Sequence, residues 1–228
     1  MLTSIEAQAL LLSLRVAITG VLGAMPFALL AAVPLARWRF LGKSIVEGLL
    51  LLPLVLPPVV VGYLLLIAFG THEPLGSWLK QHFGVQLAFS WRGAALASAV
   101  TTFPLQLRAI RLSLEGTDQR LVEAAETLGA GPLDTFLNIT LPLALPGVIS
   151  GAITAFAAAL GEFGAIITFV SNIPGETQTL PLAIYSALQQ PGGEIEAARL
   201  AALSALLALF GVMLAQFADR RTRERLTS

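Results

Sequence analysis

The sequence predicts an all-α integral membrane protein, and three observations predict it. Apolar residues make up 56% of the 228 positions and charged residues only 12%, against roughly 25% charged in a soluble domain. Five apolar runs approach or exceed the roughly 20 residues that cross a bilayer as a helix. None alternates in the period-two pattern of a barrel strand, and a lone strand leaves its backbone unsatisfied in lipid. Other classes fall away on the same counts. Fourteen basic residues balance fourteen acidic ones, so no basic field holds nucleic acid. The absence of cysteine removes disulfides, thiolate metal sites and thiol nucleophiles. His72 and His82 share one polar segment and are too few for a zinc site.

The first span is expected over about 9–34. Glu6 precedes it and Arg15 lies within it, a pattern unlike the basic leader and short apolar core of a cleavable signal. The second covers about 45–69 and contains Pro53, Pro57 and Pro58. Each proline removes a donor and clashes with the preceding turn, giving either a packing kink or a bend that lines a pathway. The third covers about 93–110, with Thr101 and Thr102 beside Pro104. The fourth covers about 143–171 and is long enough to hide a re-entrant piece. It carries Gly147 and Gly151, a small-residue pair for close helix approach, and then Thr154 and Glu162. The fifth covers about 200–217. The whole chain, 1–228, reads as one transmembrane domain.

Basic residues set the orientation. Arg37, Arg39 and Lys43 follow span one; Arg108, Arg111 and Arg120 follow span three; Arg220, Arg221, Arg223 and Arg225 follow span five. The opposite side has Lys80, Arg92 and Arg199. The N-terminus is therefore expected outside and the C-terminus in the cytoplasm, the parity five spans demand. The outer segments, 70–92 and 172–193, are rich in turn residues, and 180–190 has helical spacing but is short, so it is expected to rest on the outer face.

The cytoplasmic segment 112–142 holds the most organised pattern outside the spans. Leu121, Ala124, Ala125 and Leu128 share one helical face. Asp118 can cap that helix, Gly129 can end it in a left-handed conformation, and Pro132 suits the first turn of a second short helix. Pro142 is then expected to start the return into the membrane. A plain amphipathic connector has the same pattern. Among ionisable residues inside the runs, Arg15 and Glu162 are costly in lipid. Glu162 is expected to pair with Arg15 or Arg92, or to cap a break at Gly161–Gly164. Thr101, Thr102 and Thr154 offer hydroxyls either to a passing anion or to their own helices.

Glu123-Ala124-Ala125, then Gly129, then Ile139, Leu141 and Pro142 resemble, at all seven positions, the EAA loop of ABC importer permeases. Further stretches resemble the molybdate permeases of that family: 52–63 with its three prolines, Phe89–Gly93, Arg108–Arg111, Leu160–Gly164 and Phe169–Glu176. The resemblance implies the type I importer permease fold and a multi-pass location in the inner membrane. It implies no cofactor in this chain and no catalysis by it. The implied partners are a cytoplasmic ABC ATPase dimer, a second copy of the chain, an external or periplasmic oxyanion-binding protein and membrane lipid. The implied role of the loop is to carry ATPase motion into the spans. Sulfate and tungstate permeases are the neighbouring alternatives, and an ATP-independent transporter, channel or membrane-embedded enzyme is a more distant one. The chain has no engine of its own. Gly42-Lys43-Ser44 imitates the end of a phosphate-binding loop, but position 37, where the motif needs glycine, is Arg37.

Overall fold

Thr3 and Glu6 start the first helix by exchanging hydrogen bonds. Glu6 N–H donates to Thr3 Oγ1 at 3.2 Å and Thr3 N–H donates to Glu6 Oε2 at 2.7 Å, which satisfies two of the donors that a helix start leaves orphaned. In the computed structural model, which describes residues 3–116 and 120–227, this helix, α1, runs Ser4–Arg37. It is followed by α2 (Lys43–Val55), α3 (Pro58–Phe69), α4 (Pro74–Phe83) and α5 (Trp91–Glu115). Then come α6 (Arg120–Thr127), α7 (Pro132–Thr135), α8 (Leu141–Leu160), α9 (Gly164–Val170), α10 (Leu180–Leu188) and α11 (Glu194–Thr227).

By length and apolarity, three stretches among the described residues qualify as spans: Ser4–Arg37, Pro132–Leu160 and Glu194–Met213. A fourth arises if α2 and α3 are counted together. Helix α5 is long enough but more polar, and it buries Ser98, Thr102 and Gln106. It is nonetheless the centre of the bundle, with α1 and α8 laid against it. Lipid gives helices no hydrophobic drive to associate, so close packing and hydrogen bonds must do it. The buried face of α1 is built mainly of small residues, among them Ala9, Ala17, Gly20, Ala24, Ala28 and Ala32. The Gly147–Gly151 pair of α8 meets α5, where a Cβ at Gly147 would fall 2.6 Å from the Ala109 carbonyl oxygen. Gln106 Nε2 donates to the Val21 carbonyl at 3.3 Å across the α5–α1 seam.

The second apolar run is two helices joined at a sharp bend. Leu56 precedes Pro57, and Pro57 precedes Pro58; a residue before proline is pushed out of the helical region. Both adopt extended backbone, with ψ of 142° and 134°. Two consecutive extended residues turn the chain by 110° between α2 and α3, and Pro58 then suits the first position of α3, where no donor is needed. Pro53 stays inside α2.

The fourth run also differs from the expected 143–171. Its helix begins at Pro132, passes through a wide π turn at Phe136–Thr140 and continues to Leu160. In that turn Leu141 N–H reaches back to the Phe136 carbonyl. Pro142 sits in the first turn of α8, just after the wide turn. The run then breaks at Gly161–Phe163 before α9. The expected outer-face helix, α10, is not merely resting there: Leu180, Leu182, Ala183 and Ala187 are buried, and it packs on α11 and α1. Leu180 N–H donates to Ser13 Oγ at 2.7 Å. At the same end, Arg199 of α11 pairs with Glu6 at 2.9 Å.

Candidate functional site

Two regions carry the residues singled out by sequence, one at the Arg120–Thr140 end of the bundle and one where the two broken runs meet.

In the first, α6 ends as its spacing predicts. Gly129 takes φ +87°, a left-handed conformation that costs glycine nothing. Ala130 N–H closes onto the Ala125 carbonyl at 3.0 Å, Leu128 N–H onto the Ala124 carbonyl at 3.1 Å, and Thr127 Oγ1 also donates to Ala124. Pro132 opens α7 at its first position. Asp118, the expected cap of α6, lies outside the described residues. The apolar face of α6 is not buried by the rest of the chain. Leu128 is 88% exposed and Leu133 71%, Leu121 and Ala124 are exposed, and Ala125 is half-buried. Glu123 is exposed beside them. Helix α6 touches α7 and the wide turn. Thr140, by contrast, is buried, and Ile139 and Leu141 are half-buried where the segment joins α8; Pro142 is exposed.

In the second region, the break after α8 is capped by Glu162, whose Oε1 accepts the Ala165 N–H at 3.0 Å. That bond satisfies one of the free donors at the start of α9. Neither arginine is the partner of Glu162. The Arg15 guanidinium lies 3.6 Å from the centre of the Trp91 ring, a cation–π contact, and that of Arg92 lies 5.8 Å from the same ring. Arg92 also lines, with Thr19 and mostly apolar side chains, a cavity of about 430 Å³ between α1, α2 and α5.

The two breaks lie side by side. A Cβ at Gly164 would fall 2.9 Å from the Pro58 Cβ, and a Cβ at Gly62 would fall 2.6 Å from the Ala165 carbonyl oxygen. Helices α3 and α9 thus meet backbone to backbone. Val61, Leu65, Ile166, Phe169 and Val170 form the buried cluster around them. Thr101, Thr102 and Thr154 are not brought together here. Thr101 and Thr102 both donate to the Ser98 carbonyl, at 3.2 and 2.7 Å, and Thr154 donates to Ser150 at 2.9 Å. Each hydroxyl is engaged with its own helix.

The sequence reading missed Glu47. It accepts from Arg111 Nη1, while Arg111 Nε donates to Glu115 at 2.6 Å. The overlooked signal was an acid in the first turns of an apolar run, where a charge needs a partner. Among the described residues no three His, Asp or Glu side chains gather as a metal site.

Residues 24–224 match the family described as the binding-protein-dependent transport system inner membrane component. The chain is 55% identical to the molybdenum transport system permease protein ModB of Escherichia coli (strain K12), over 98% of both chains. It is 52% identical to that of Haemophilus influenzae over 97% of this chain and 96% of the relative. It is 36% identical to the sulfate transport system permease protein CysT of Escherichia coli (strain K12), over 82% and 68% respectively. In structure it resembles a chain of a bacterial alginate ABC transporter, with a TM-score of 0.75, 18% identity, and coverage of 96% and 80%. A chain of the inward-facing MetNI methionine ABC transporter gives a TM-score of 0.68, 16% identity, and coverage of 96% and 95%. The helical fold is therefore that of ABC importer permeases, and the chain belongs to the family of binding-protein-dependent transport system inner membrane components.

Proposed function

We propose that this multi-pass inner-membrane chain is the permease subunit of an ATP-driven importer for molybdate. One observation carries the importer reading: Leu121, Ala124 and Leu128 on the apolar face of α6 stand exposed with Glu123 beside them, while Gly129 and Pro132 shape the turn that follows. A face of this kind suits a groove on a cytoplasmic ATPase, and Glu123 can form charge-assisted hydrogen bonds there. The choice of molybdate rests on the names of the relatives at 55% and 52% identity. Sulfate is the second reading, supported by the 36% identical sulfate permease.

In this reading α1, the α2–α3 pair, α5, α8 with α9, and α11 form five spans, with the N-terminus outside and the C-terminus in the cytoplasm. Two copies flank the pathway, two ATPase subunits sit below, and a binding protein delivers the oxyanion from outside. ATP binding draws the ATPases together and moves the α6–α7 knobs. The broken helices then open the pathway outward, and hydrolysis resets it. The chain needs no cofactor for this. The pathway binds the dianion weakly, since conduction requires exit as well as capture.

Reconstitution in proteoliposomes with the ATPase and binding protein tests the proposal. Molybdate uptake should require ATP and resist excess sulfate. Uptake without ATP would refute the importer reading, and equal uptake of sulfate would shift the solute.

A further inference from the structure

Besides the direct contacts of α5 with α3 and α9, one connection from the α6–α7 knob to the broken helices runs through α5 and α2. Helix α5 ends at Glu115, shortly before α6 begins at Arg120. Helix α2 leads from Lys43 to the 110° bend, beyond which α3 lies against α9. Helix α2 has no fully buried residue of its own. Only half-buried side chains such as Leu50 and Leu51 join the apolar cluster around Leu107 and Ile110. Packing alone therefore holds it loosely. Its polar tie is Glu47, which accepts from Arg111 of α5 across 64 positions of sequence.

That tie is built as a fork. Arg111 Nη1 serves Glu47 on the neighbouring helix, and Nε serves Glu115 one turn further along its own helix at 2.6 Å. Glu115 thus fixes the direction in which the guanidinium points. The Arg111 and Glu47 side chains are 23% and 32% exposed, so the pair is screened less than an open surface bridge, for which values of about 0–1 kcal/mol are usual. A planar guanidinium with both edges engaged resists rotation in a way a lysine cannot reproduce.

We propose that Arg111 is a positioning residue for transport: it clamps α2 to α5 so that the two move as one body. A displacement of α6 then reaches the Leu56–Pro57 bend through α2, and the clamp stays closed throughout the cycle. This rests on the importer reading above.

The absence of native cysteine makes a direct test clean. The Glu47→Cys/Arg111→Cys double variant is assembled with the ATPase and binding protein in proteoliposomes. With its thiols free, ATP hydrolysis should persist while ATP-dependent molybdate uptake falls roughly tenfold, within the usual range of coupling between sites. Cross-linking the two thiols with a bifunctional maleimide of about the length of the ion pair should restore uptake. Because assembly and hydrolysis persist with the thiols free, the rescue of uptake reads coupling and not recovery of the fold. Full uptake with free thiols, or uptake still lost after cross-linking, would overturn the clamp. If the double variant does not assemble, Glu47→Gln, which keeps size and removes charge, should show the same split between hydrolysis and uptake; unchanged coupling there would also overturn it. Wild-type protein lacking ATP-dependent uptake would instead sink the importer reading and be recognised as such.

Discussion

The α6–α7 knob and the α3–α9 junction use glycine for opposite reasons. A Cβ at Gly129 would meet nothing within 4 Å, yet its φ of +87° is one that side chains rarely adopt. Gly62 is an ordinary helical residue, yet a Cβ there would fall 2.6 Å from a backbone oxygen. One position needs conformation and the other needs room. The difference matches what each region does with its apolar groups. The junction hides Val61, Ile166 and Phe169 completely, while the knob leaves Leu128 and Leu133 outside. A region finished by its own chain should fail by unfolding when altered. A region that awaits another protein should fail in function with its fold intact.

The largest effect is therefore expected at Gly62→Val. The added atoms press on the Ala165 backbone and the Thr168 Cβ, and neither is the far end of a flexible side chain. Overpacking typically costs about 1–3 kcal/mol, and here the obstacle includes main chain. Thermal denaturation in detergent should show a clear fall in Tm and poor recovery from membranes. A wild-type Tm would mean that the junction is looser than its geometry, and the contrast with Gly129 would collapse.

Next comes Gly129→Asp. A left-handed residue with a side chain costs about 1–2 kcal/mol, and aspartate tolerates that region better than most. The new carboxylate, however, stands at the exposed face where a partner would fit. Expression should stay near wild type and Tm should fall less than in Gly62→Val, while ATPase co-purification and ATP-dependent uptake fall severely. Glu123→Ala should give a milder loss. Wild-type assembly together with wild-type uptake in Gly129→Asp would refute this segment as the coupling element. Leu128→Gln tests the same face without touching the backbone. At 88% exposure, its loss should leave Tm unchanged and lower ATPase retention by up to tenfold, about 1.4 kcal/mol of contact.

The same contrast explains what sequence alone could reveal. Gly129 and Pro132 were readable because φ and the missing proline donor are local properties. Helix α5 was readable as a helix, and its central place was not, because buried Ser98 and Gln106 look no different in sequence from exposed ones. The bend at Pro57–Pro58 was visible as an interruption. Its 110° follows only when the restriction on the residue before each proline is counted twice. The wide turn ahead of Pro142 has no local signal, because a π turn, a register change in the hydrogen bonds, leaves no residue signature. Helix α10 shows apolar spacing, but spacing does not say which neighbour covers the face. The Glu47–Arg111 pair joins residues 64 positions apart, which no local pattern can announce.

The smallest effect, and the one that sharpens the role of the junction most, is expected at Glu162. Its Oε1 accepts the Ala165 N–H at 3.0 Å, and that bond needs an oxygen with a lone pair, not a charge. Glutamine offers the same oxygen at the same reach, so Glu162→Gln should change Tm little. Alanine leaves the donor open where α9 begins, and removing a helix-start cap costs about 0.5–2 kcal/mol, so Glu162→Ala should lower Tm more than Glu162→Gln. Uptake should follow the same order, near wild type for glutamine and reduced for alanine. If the carboxylate instead served transport through its charge, glutamine and alanine would be equally inactive while their Tm values differed. That outcome would place transport chemistry at the junction and end its description as a purely structural break.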